Sequence, residues 1–220
     1  MLYFQPNYIY MKRILCFAIA FLSATMTFAQ TGAEIVNRMN ERINARRSEG
    51  ISVIAEVKIP IVGTVSTKTS ALGDRRRVDV RMKERDVITF SQQDTTWIYT
   101  VQDNSVLITT DTIMSKVNSS NPEGNIDMFG DIVEVYNITI KSQNLVKWEL
   151  VCKRKKGNKD DDYPKNITLE VRKDTYELIS MTTKMMGISM VMRDLKFGLT
   201  QKDVTFNQAN YPGVKVTDQR

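Results

Sequence analysis

Ile51-Ser52-Val53-Ile54-Ala55-Glu56-Val57-Lys58-Ile59 decides the fold class. Its period of two puts Ile51, Val53, Ala55, Val57 and Ile59 on one side, and Ser52, Glu56 and Lys58 on the other, the pattern of a half-buried strand. Immediately upstream the period is 3.6. Ile35, Val36, Met39 and Ile43 share a helical face, and Arg38, Glu41, Arg42 and Arg46 occupy the opposite one. Thr31 and Glu34 fit a capping box at the start of this helix, and Gly50 ends it.

Downstream, alternation continues through Val62–Ser70, Arg76–Met82, Val87–Gln92, Thr96–Val101 and Ser105–Thr109. Gly73-Asp74, Glu84-Arg85 and Asp103-Asn104 supply tight turns between them, and connections this short imply antiparallel neighbours. Residues 112–135 break the rhythm with Pro122, Gly124 and Gly130, and read as short helices or an irregular flap. Strands resume at Tyr136–Lys141, Val146–Lys153, Lys165–Arg172, Glu177–Met185 and Ile188–Phe197. The expectation is a mainly β (α+β) domain of roughly ten antiparallel strands, with an N-terminal helix and a central flap. So many strands are too many for one helix to cover flat. The sheet must curl around its own side chains or around a cavity, and periodicity does not choose.

Residues 1–29 are set apart. Met11-Lys12-Arg13, the apolar run Ile14–Leu22 and Thr27-Phe28-Ala29 follow the secretory order, with cleavage expected after Ala29 and residues 1–10 as an upstream extension. The apolar run is short for a bilayer span. One domain is expected over 30–220. Gln30 would then lead the mature chain, leaving no cysteine there for a lipid anchor and Cys152 as a lone, buried thiol. Loss of Lys12 and Arg13 leaves 29 basic and 25 acidic residues, a charge of +4. In an exported chain this does not point to nucleic acid.

The sequence contains no histidine, which removes the commonest general base and metal ligand. Serine, threonine and Cys152 therefore lack an imidazole partner, and no glycine-rich phosphate loop is present; no enzyme, metal or cofactor is expected. The charged block Lys153–Asp162 reads as a solvated hairpin loop rather than a metal site at Asp160-Asp161-Asp162. Met181, Met185, Met186, Met190 and Met192 cluster across a hairpin turning near Met186-Gly187. Flexible thioethers suit either a pocket for a floppy apolar ligand or an ordinary core. Trp97 and Tyr99 share one side of their strand, and Arg75, Arg77, Asp79 and Arg81 share one side of theirs.

Taken together, these pieces resemble the periplasmic lipoprotein carriers, the LolA-like proteins. The resemblance rests on the helix-then-strands opening and on Gly73-Asp74-Arg75-Arg76-Arg77-Val78-Asp79. It also rests on Phe90–Tyr99 with its Trp-x-Tyr, and on Val204-Thr205-Phe206 followed by Tyr211-Pro212-Gly213-Val214-Lys215-Val216. It implies a curved, incompletely closed antiparallel half-barrel, lined with apolar side chains and lidded by helices. Trp97, Tyr99, Met181, Met185, Met190 and Met192 would then wall a lipid cavity. Arg77, with Arg76 as competitor, would hold the lid, and Ile126, Met128 and Phe129 would belong to it. Asp74 and Val78 stand where close members carry proline and an aromatic, which leaves the cargo open between a lipoprotein and another lipid. The implied function is a monomeric periplasmic carrier of acyl chains, working between an inner-membrane release complex and an outer-membrane acceptor. The alternative is a sensor of the same fold that signals through a protein partner.

Overall fold

The structure, a computed structural model, describes residues 30–60, 63–110, 132–157, 163–185 and 187–220. The expected signal peptide, the flap residues Ile126, Met128 and Phe129, and Asp160–Asp162 lie outside the described residues.

Two meanders form one sheet. The first is β1 (Ile51–Ile59), β2 (Gly63–Leu72), β3 (Arg75–Arg81), β4 (Asp86–Gln92), β5 (Thr95–Thr100) and β6 (Ser105–Thr110). The second is β7 (Tyr136–Gln143), β8 (Lys147–Arg154), β9 (Asn166–Arg172), β10 (Leu178–Met185) and β11 (Ile188–Phe197). They join where β1 pairs antiparallel with β11. A last strand, β12 (Lys215–Asp218), returns to lie parallel to β6. The order is β12-β6-β5-β4-β3-β2-β1-β11-β10-β9-β8-β7, an open curved sheet with β12 and β7 at its edges.

The expected antiparallel count is thus corrected to twelve strands, one of them parallel. The reason is the tail. Lys202 to Val214 forms a crossover long enough to reverse direction, which a tight turn cannot do.

Helix α1 (Gly32–Arg46) begins the compact unit. Its apolar stripe is spent on the sheet, with Ile35, Val36 and Met39 at 0% exposure. Gly32 allows the close approach, because a Cβ there would lie 2.7 Å from Ile138 Cγ2 on β7. A short 3-10 turn, Arg47–Glu49, and Gly50 at φ 78° then bend the chain into β1. The one-turn helix α2 (Ile132–Val135) packs beside α1, with Ile132 and Val135 buried. Another one-turn helix, α3 (Gln201–Val204), sits against β2 and β3.

Cross-strand pairing assigns every strand residue to one of two faces. On the inner face, which α1 covers, the core gathers Ile51, Val53, Trp148, Leu150, Cys152, Ile167, Leu169, Val171, Leu178, Met181 and Met192. All of these come from β1 and β8–β11. The helix therefore fills the inner face of one half of the sheet only. Each fully buried aliphatic side chain there contributes about 1.5–3 kcal/mol.

Candidate functional site

One register row shows what happens beyond the helix. Leu150 pairs with Leu169, Leu169 with Met181, Met181 with Met192 and Met192 with Ala55. Ala55 pairs with Thr67, Thr67 with Val80, Val80 with Val87 and Val87 with Thr100. The row starts in the core, where Leu150 and Leu169 are at 0% exposure. It crosses β2–β4, where Thr67, Val80 and Val87 are only half-buried, and ends at Thr100 on β5, which is buried at 9% exposure.

Parallel rows repeat the pattern. Met190, Val57 and Val65 form one, and Val78, Thr89, Ile98 and Leu107 form another. Val57, Val65, Val78, Val80, Val87, Ile98 and Leu107 are all half-buried, and none joins the core cluster under α1. Among the described residues, this is a continuous apolar surface that the helix does not reach. Threonines, Ser91, Ser105 and Arg76 interrupt it, and threonine presents a methyl group as well as a hydroxyl. Such a surface can take hydrocarbon without specifying its shape.

The expected wall residues divide into two groups. Met181 and Met192 stand on the inner face at 7% and 4% exposure, packed into the core at the border of the open surface. Met190 is half-buried between that core and Val57. Met185 closes β10 opposite Ile188 in the backbone register. Trp97 and Tyr99, by contrast, face outward.

Trp97 pairs with Phe90 and stacks on Phe206 with centroids 6.0 Å apart, and Phe206 also meets the Phe90 ring edge-on at 5.7 Å. Tyr99 lies 4.4 Å from Tyr211, and its hydroxyl donates to Asn104 Oδ1 at 3.2 Å. The C-terminal segment therefore covers the outer face of β3–β6 with its own aromatics. Trp97 and Tyr99 are not brought together with the methionines; they lie on opposite sides of the sheet. Alternation could group them with each other but could not say which side of the sheet they would face.

The arginines are sorted by the same rule. Arg77 is on the outer face, its Nε 2.7 Å from Asp79 Oδ1 and its guanidinium 5.2 Å from the Phe90 ring centroid. Arg76 pairs with Ala71 and Ser91 on the inner face and is half-buried. The two arginines thus stand on opposite faces of the sheet.

Sequence reasoning missed Val65, Val78, Val80, Val87, Ile98 and Leu107 as a surface. Its signal was present on β3, where Arg75, Arg77, Asp79 and Arg81 claim one side and leave Val78 and Val80 on the other. Two titratable groups on the inner side, Cys152 and Tyr136, are kept neutral. Burial pushes the Cys152 thiol up to about 12 and the Tyr136 phenol up to about 12. The Tyr136 hydroxyl donates to the Pro164 carbonyl at 2.9 Å. Neither group offers a nucleophile or base near neutrality. Among the described residues no three His, Cys, Asp or Glu side chains gather to hold a metal.

Comparison with known proteins gives a likeness in fold. LprF from Mycobacterium bovis superposes with a TM-score of 0.52 at 11% identity, over 80% of this chain and 95% of that one. A LolA superfamily protein from Nitrosomonas europaea matches with a TM-score of 0.31 at 10% identity, over 81% and 99%. The MucA/MucB complex of Pseudomonas aeruginosa matches with a TM-score of 0.39 at 9% identity, over 80% of this chain and 61% of that one. No family model matches the sequence, and no curated protein matches it. These likenesses concern fold alone, and of the three only LprF superposes with a TM-score above 0.5.

Proposed function

We propose that this chain of LolA-like fold binds acyl chains on the open part of its inner face, and carries lipoproteins or another lipid through the periplasm toward the outer membrane. The observation supporting this reading is the row of half-buried apolar residues, Val57, Val65, Val78, Val80, Val87, Ile98 and Leu107, lying outside the helix-covered core.

The physical need is large. Burying a methylene is worth about 0.8 kcal/mol, so an acyl chain of about 16 carbons loses roughly 12 kcal/mol when exposed to water. A surface of valines, threonines and an adaptable Met190 offers replaceable contacts without demanding one chain conformation. No arrangement for bond cleavage enters the reading. The lid expected of the 112–135 flap and the 31–48 helix belongs to it, with Arg76 as the inner-face group that holds the flap.

The test is gentle purification of the exported protein, followed by mass spectrometry of bound lipid and displacement of a fluorescent fatty-acid probe. Co-purifying acyl lipid is expected, as is a probe affinity at least tenfold weaker in Val78→Asp/Val80→Asp. A folded protein that retains no lipid and binds no probe would sink the reading. Recovery of a protein partner without lipid would replace the carrier by a regulatory module. Deleting 112–130 should abolish lipid retention while leaving the far-UV circular dichroism β-rich.

A further inference from the structure

On the outer face, away from the apolar surface, the start of β3 and the C-terminal turn enclose a cleft of about 420 Å³. Its lining is Arg75, Gln201, Lys202, Thr205, Asn207 and Asn210. All six carry a side-chain hydrogen-bond donor, two are cations, and none is a carboxylate. Arg75 is oriented there, since its Nη1 donates to Thr205 Oγ1 at 3.0 Å. Asp74 Oδ1 forms a long ion pair with the Arg75 Nε at 3.9 Å, leaving the hydrogen-bonding capacity of Arg75 to other acceptors.

The carboxylate closest in sequence on the other wall, Asp203, is turned back on its own helix. Its Oδ2 accepts from the Thr200 amide and hydroxyl, each at 2.7 Å, and these bonds hold its pKa below the usual carboxylate range. The turn carrying the remaining donors is also fixed. Asn207 Oδ1 accepts from the Ala209 amide at 3.0 Å, and Phe206 and Tyr211 stack at 5.5 Å. The cleft is thus a set of donors beside a fixed turn, with Asp203 drawn back onto Thr200 and Asp74 at ion-pair distance from Arg75.

We infer that this cleft binds a phosphate-type anion, with Arg75 as the planar donor and Lys202 as the second charge. Phosphate fits better than a lone carboxylate, because the donors surround the space from several directions and phosphate offers acceptors in several directions. The shared chemistry could be met by the headgroup of an anionic lipid or by a soluble phosphate ester. The site lies across the sheet from the acyl surface, so it is separate from the proposed lipid cargo site.

Titration of the purified chain with inorganic phosphate and glycerol 3-phosphate, followed by amide chemical shifts, is the first test. Saturable shifts confined to residues 74–75 and 201–210 are expected. Arg75→Gln and Lys202→Gln should each weaken binding about tenfold. Asn210→Asp, which adds a carboxylate to the lining without removing a packed side chain, should do the same while the melting temperature is unchanged. Sedimentation with phosphatidylglycerol vesicles, compared with phosphatidylcholine vesicles, separates the sources: phosphatidylglycerol binding lost in the same variants assigns the headgroup, and none assigns the soluble ester. Absence of saturable shifts, or variants that bind like the parent, would overturn the inference. The fatty-acid probe should bind all these variants normally, so failure here is distinct from failure of the acyl site.

Discussion

Single residues show how sharply the two faces are distinguished. Gly32 touches Ile138, and a methyl group there has no room, with the Ile138 carbonyl oxygen at 3.1 Å as well. Gly32→Ala should destabilise the fold by about 1–3 kcal/mol, read from urea denaturation. Phe206→Ala removes the ring shared by Phe90, Trp97 and Tyr211 and should cost about 3 kcal/mol, yet leave acyl-probe affinity within twofold, because that stack lies outside. Cys152 and Tyr136 give a pH signature. Their folded values stand near 12, above the ordinary values of 9.0 and 10.0, so the unfolded chain releases these protons first. The stability they contribute is whole below about pH 9 and declines as pH rises toward 12. Cys152→Ala should make the alkaline decline of the urea midpoint shallower.

At the scale of elements, much was legible in sequence. The helix over Ile35–Ile43 and the switch to a period of two at Ile51 were written in spacing, as were the β10–β11 turn and the hairpin joining β8 to β9. Which half of the sheet the helix would cover was not, since that depends on β1 meeting β11 across more than a hundred intervening residues. For the same reason Trp97 and Tyr99 could be paired with each other but not assigned to a face. The reversal at the tail was also hidden. Lys215-Val216-Thr217-Asp218 alternates like any strand, and direction is not encoded in alternation. All four β12 residues are exposed, so β12 is held to β6 mainly through its backbone. Truncation at Val214 should bare the β6 edge and produce concentration-dependent oligomers, visible by analytical ultracentrifugation, while the monomer remains β-rich.

For the whole molecule, the division of labour follows from geometry. One half of the inner face is sealed by α1, and the outer face of the other half is sealed by the C-terminal segment. Among the described residues, this leaves apolar surface uncovered at one place without opening the core. A ligand bound there should raise the melting temperature in proportion to its free concentration, as expected for anything that binds the folded form alone.

The seam between β1 and β11 has a temporal consequence. Ile51 must find Phe197 before either meander has its neighbour, so the central ladder cannot exist until most of the polypeptide has been made and delivered. Closing so long a loop is slow, and each half waits meanwhile with an unpartnered margin. Refolding of such a chain in a test tube should be slow and sensitive to crowding by its own kind.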